Sequence, residues 1–235
     1  MVAERIKEIM ARIAEAALRS GRNAGDVRLM AVTKTVSPDV IEAAILAGQM
    51  FLGENYVNEA REKINFLAGR YPSVSWHLIG HLQTNKVGSA IDLFDCIETL
   101  DSIRLAAALD GRAGSRGRKL PVFIQVNIGD HVAKYGIPPS RLVEFLSELA
   151  AFPHIDVSGL MTITPWADDP NDARPWFRAL RELRDRVSDE TGIFIKELSM
   201  GMSHDFETAI EEGATIVRVG TAIFGPRASN RAKET

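Results

Sequence analysis

The chain has 235 residues, with 28 Lys and Arg set against 31 Asp and Glu, for a net charge of −3 with histidine neutral. That balance leaves no strongly charged face for nucleic acid or an anionic membrane, and no basic cluster with interleaved aromatics supplies one. Hydrophobic residues at 46% and charged residues at 25% predict an ordinary globular protein with a sizeable core.

The elements follow one rhythm. Ile6, Ile9, Ile13 and Ala17 fall on one face of an opening helix that ends near Gly21. This segment has neither the apolar run of a signal peptide nor the length of a membrane span, so a cytoplasmic protein is expected. VRLMAVTK (27–34) reads as a strand, and Ser37–Pro38 then opens a helix over 38–48. The cycle repeats with strands beginning near 50, 75, 95, 121, 156, 196 and 215, each followed by a helical period.

Strand runs that are apolar throughout suit a sheet buried on both faces. About eight βα units in this length predict an α/β fold: a single (β/α)8 TIM-type barrel with an extra N-terminal helix, one domain over 1–235. An open sheet of six or seven strands is the competing arrangement, although no G-x-G-x-x-G follows the first strand. GRAGSRGRK (111–119) reads as a solvated basic loop. Cys96, the one cysteine, reads as a buried small hydrophobe; a lone thiol fits a reducing compartment.

Barrel active sites gather at the C-terminal ends of the strands. Lys34 closes the first strand, where it either snorkels to solvent or acts as an amine that attacks a carbonyl. LSMGMSHD (198–205) and VRVGTAIFG (217–225) place Ser, Gly and Thr in turns after the last two strands, which is where barrels commonly hold phosphate. Together they suggest a ligand with phosphate at one end and an aldehyde at the other. Arg218, two residues before Gly220, either projects inward toward the ligand or forms an outward ion pair. Asn55, in GENYVNE, is either a rim residue beside Lys34 or a helix N-cap. His77 and His81 straddle a strand end, a poor geometry for two metal ligands, so no metal site is expected.

AVTKT (31–35), FLGENYVNEAREK (51–63), WHLIGHLQTNK (76–86), FIQVNI (123–128), SGLMTI (158–163), LSMGMSHDFETAI (198–210) and VRVGTAIFG (217–225) resemble the pyridoxal phosphate homeostasis proteins, the alanine-racemase-like family. The resemblance runs through the whole chain in the family's order. It implies pyridoxal 5′-phosphate as cofactor, held as a Schiff base on Lys34. It further implies a phosphate held by Ser203, Gly220 and Thr221, with Arg218 facing the pyridine nitrogen and Ser199 and Asn55 among the cofactor-binding residues. Lys134 matches a family position and is carried as a further cofactor-side contact.

The implied role is storage and transfer of the coenzyme, with effects on amino-acid and keto-acid balance and with apo-enzymes as recipients. The chain stops about ten residues after VRVGTAIFG, where related racemases add a β domain. A monomeric binder without catalysis is therefore expected. A PLP-dependent racemase-like enzyme and a Schiff-base aldolase without coenzyme are the alternatives.

Overall fold

The computed structural model describes residues 1–129 and 135–226. The strands are β1 (Arg28–Val32), β2 (Phe51–Glu54), β3 (Ser75–Leu78), β4 (Cys96–Leu100), β5 (Leu120–Gln125), β6 (Ile155–Met161), β7 (Glu197–Met202) and β8 (Ile216–Val219). The helices are α1 (Val2–Arg19), α2 (Pro38–Leu46), α3 (Val57–Leu67), α4 (Val87–Leu93), α5 (Ile103–Gly114), α6 (Leu142–Leu149), α7 (Arg174–Thr191), α8 (Phe206–Glu211) and α9 (Thr221–Phe224).

The strands pair in parallel in sequence order, and β8 closes on β1 through Arg28↔Ile216 to Ala31↔Val219. The closed barrel, not the open sheet, is the architecture. Closure leaves no sheet edge, so every strand is flanked by hydrogen-bonded neighbours.

Two apolar layers follow from the two-residue alternation of side chains along a strand. Ala31, Leu52, Leu78, Ile97, Val122, Leu160, Leu198 and Val217 face outward and join the helices in one large core. Met30, Val32, Ile79, Cys96, Phe123, Met161 and Ile216 face inward and fill the barrel. α1 lies outside the ring and packs against α8 and α9. Its buried stripe is Ile6, Ile9, Ile13, Ala16 and Ala17, and each buried isoleucine contributes about 1.5–3 kcal/mol. Arg12 and Arg19 pin the exposed side of this contact through Glu207 and Glu211.

One reading needs correcting. The segment 111–119 is not wholly a loop, because α5 runs on to Gly114. Leu105, Ala106, Leu109 and Ala113 form a buried stripe that carries the helix through both glycines. No helix among the described residues is long and apolar enough to cross a membrane.

Candidate functional site

β7, β8, β1 and β2 are consecutive around the ring, and their C-terminal ends bring Ser203, Gly220, Thr221, Lys34 and Asn55 to one sector of the barrel mouth. Val32 pairs with Gly53 and Ala31 with Val219, so the chain leaves β1, β2 and β8 at nearly one level. Lys34 is half-buried, two residues beyond the inward-facing Val32.

The turn that carries Lys34 is held in an unusual shape. Thr35 has φ of 63°, the one non-glycine positive φ among the described residues. A β-branched residue there carries a cost of about 1–3 kcal/mol, so the surroundings must hold it. Its N–H donates to Glu59 Oε1 at 2.5 Å. Lys63 locks that carboxylate from α3: its ammonium donates to Glu59 Oε1 at 2.5 Å, Glu54 Oε1 at 2.7 Å and the Thr33 carbonyl at 2.6 Å. Thr33 Oγ1 also donates to Glu54 Oε1, at 2.7 Å. Burial pushes the Glu54 carboxyl above its ordinary value, and the Lys63 charge offsets only part of that rise.

On the other flank the Ser203 hydroxyl accepts from the Gly220 N–H at 3.2 Å and, more weakly, from the Ala222 N–H at 3.5 Å. It therefore ties the turn after β7 to the turn after β8. Gly201 has φ of 89°, and a Cβ there would lie 2.5 Å from the Ala209 Cβ. Glycine is thus required where β7 bends into its turn.

Below the mouth lies a buried polar chain. Arg218 projects inward: its guanidinium donates to Ser199 Oγ at 2.8 Å and to the Thr162 carbonyl at 2.7 Å. Ser199 Oγ donates in turn to Glu98 Oε2 at 2.6 Å, and Glu98 Oε1 meets His77 Nδ1 at 2.7 Å. Burial pulls the Arg218 pKa down, while the charges of Glu98 and Asp205 push it back up. Burial pushes Glu98 up, but His77, Arg218 and Ser199 outweigh it, so the carboxyl ends below its ordinary value.

Most of the expected residues converge, with two revisions. Ser199 is not in the phosphate-type turn: β7 runs on to Met202, so Ser199 sits mid-strand, fully buried, as the link between Glu98 and Arg218. Asn55 is not a helix cap, since Tyr56 holds that position. Its Oδ1 is buried with no hydrogen-bond partner among the described residues. Lys134 lies outside the described residues. His77 and His81 diverge: His77 lies inside the barrel, whereas His81 stacks on Tyr135 with ring centroids 3.8 Å apart.

Sequence reasoning missed Glu98, Glu59 and Lys63, and read Glu54 only as a residue at the mouth, not as the buried partner of Lys63. A charged residue inside an otherwise apolar strand was the available signal for Glu98 and Glu54. Glu59 and Lys63 are four residues apart, a spacing that on a helix is ordinarily a surface ion pair and so carries no signal of a buried role.

The family described as alanine racemase, N-terminal domain, matches residues 6–228. A pyridoxal phosphate homeostasis protein of Aquifex aeolicus is 43% identical over 224 residues, covering 95% of this chain and 97% of its own length. PipY of Synechococcus elongatus, solved with PLP bound, is 35% identical with a TM-score of 0.83, covering 96% of this chain and 100% of that one. An alanine racemase of Corynebacterium glutamicum shares 21% identity and a TM-score of 0.73, covering 95% of this chain and 62% of that one; this last likeness is one of fold.

Proposed function

The chain belongs to the alanine racemase N-terminal domain family, and on that premise we propose that it binds pyridoxal 5′-phosphate as a Schiff base on Lys34, storing and handing on the coenzyme rather than turning over a substrate. The observation that carries this reading is the convergence of one lysine and two tied Ser/Gly turns on adjacent strand ends. The homeostasis relatives and the PLP-bound PipY support it.

The donor set suits the group. Ser203, Gly220 and Thr221 would hold the phosphate through hydroxyl and backbone N–H groups. The orphaned Asn55 Oδ1 would accept a hydrogen bond from the ligand or from Lys34. Arg218 would face the pyridine nitrogen, with Ser199 holding it from behind. When bound, the coenzyme would supply an aldehyde for the Lys34 amine. A guanidinium beside the ring nitrogen opposes its protonation, and a neutral ring is a weak electron sink. That favours storage over carbanion chemistry. In this reading the barrel over 1–235 is the whole binding unit, a cytoplasmic monomer with PLP-dependent apo-enzymes as recipients.

The test is to load the protein with the coenzyme, reduce it with borohydride and map the adduct by mass spectrometry. A pyridoxyl group on the Lys34 peptide is expected. A loaded protein with no adduct at Lys34 would overturn the assignment. Exchange of amino-acid α-protons with deuterated solvent, catalysed by the loaded protein, would replace storage with a racemase-like activity.

A further inference from the structure

We propose that Glu59 and Lys63 are positioning residues that aim the Lys34 amine by holding Thr35 in its left-handed conformation. This rests on the reading of Lys34 as the Schiff-base lysine and adds what sets its direction. Lys34 is followed by the one non-glycine residue with positive φ among the described residues. Residues of this type rarely adopt that conformation unaided, so its persistence next to the reactive position calls for a cause.

The cause is a three-point clamp. Lys63 is 5% exposed, and all three of its ammonium protons have acceptors. One acceptor is the Thr33 carbonyl, immediately before Lys34. Another is Glu59, whose same oxygen takes the Thr35 N–H immediately after Lys34. The backbone is therefore gripped on both sides of residue 34 from α3. Glu54, fully buried on β2, is the third point and holds Lys63 in line. An ordinary surface pair of residues four apart would engage neither peptide group.

Schiff-base formation needs the amine at one place and angle, with its nitrogen bonding to the aldehyde carbon as the carbonyl oxygen leaves as water. A rotated turn would leave the phosphate cradle intact and misdirect only the amine. Pyridoxamine 5′-phosphate carries the same ring and phosphate and has no aldehyde, so it separates the two contributions.

The experiment measures affinities of both vitamers by calorimetry for the full chain and for Glu59→Ala, which removes the Thr35 acceptor and leaves the Glu54–Lys63 pair in place. Borohydride-fixed adduct and circular dichroism are recorded alongside. The expected result for Glu59→Ala is a pyridoxal phosphate Kd raised at least tenfold, a pyridoxamine phosphate Kd within twofold of wild type, and a reduced adduct on Lys34. Adding Thr35→Gly should recover affinity for the aldehyde, because glycine adopts positive φ without strain. Thr35→Pro, which fixes φ near −65° and removes the N–H, should reproduce the loss without touching Glu59. An unchanged aldehyde affinity in Glu59→Ala or Thr35→Pro, or an equal loss for both vitamers, would overturn the clamp. A wild-type protein that prefers neither vitamer and gives no adduct would instead overturn the underlying assignment of Lys34.

Discussion

Ser199 on β7 donates its hydroxyl proton to Glu98 on β4 at 2.6 Å across the inside of the barrel, although 101 residues separate them in sequence. The same oxygen accepts from Arg218 at 2.8 Å, so one hydroxyl links a buried cation to a buried carboxylate. Both charges are buried, and the pair is tolerable only because each is hydrogen-bonded.

Ser199→Ala should therefore cost about 2–4 kcal/mol of unfolding free energy, since it strips a partner from two buried charged groups at once. Urea denaturation measures this. A loss below 0.5 kcal/mol, on the order of a surface substitution, would mean that the relay carries no load.

The relay also predicts a pH dependence. Glu98 has a folded pKa below its ordinary value of 4.5, so in that range the unfolded chain binds more protons than the folded one. Its contribution is present above pH 4.5 and is lost as pH falls through the folded pKa. Plotting Tm against pH for wild type and Glu98→Gln should show the variant with a shallower acid limb; coincident slopes would remove Glu98 from the acid response.

Lys63→Met leaves Glu54 buried without its cation and should destabilise the fold by about 3–5 kcal/mol. Replacing both, as Glu54→Leu with Lys63→Met, removes the uncompensated charge and should recover much of that loss. A double variant as unstable as the single one would contradict the pairing.

Gly80→Ala should disturb the rim between β2 and β3. A Cβ at residue 80 would lie 2.1 Å from the Asn55 carbonyl oxygen, so backbone must move. A fall in Tm together with weaker coenzyme binding is expected, because Asn55 shares the mouth with Lys34. Unchanged binding would place Asn55 outside the site.

Cys96 is 2% exposed, and burial with the nearby Glu98 charge pushes its thiol well above the ordinary value. Thiol reagents should leave the native protein unmodified and titrate one thiol only in denaturant. Rapid native labelling would show that the barrel interior opens.

Much of this was legible locally. Eight apolar runs alternating with helical periods specify a parallel sheet covered by helices and favour a barrel by strand count, while closure itself rests on the β8–β1 pairing. Lys34, Asn55, Ser203, Gly220 and Thr221 were legible because strand ends are where backbone leaves the sheet and polar residues become tolerable. Ser199 was misplaced because the Ser/Gly wording around it reads as a turn, whereas pairing with β6 and β8 carries the strand on to Met202. Where both faces of a strand are apolar, the alternation of His77, Glu98 and Arg218 does not say which parity faces inward.

The order of elements, the helical faces and the residues at the strand ends were thus set by local periodicity and turn chemistry, which the chain carries in short windows. Which polar side chains meet inside the barrel, and that Lys63 and Glu59 together hold the peptide groups on either side of Lys34, was decided only by tertiary packing. That packing brings together groups separated by 19 to 101 residues. Their partners are chosen by shared burial, which no short stretch of sequence encodes.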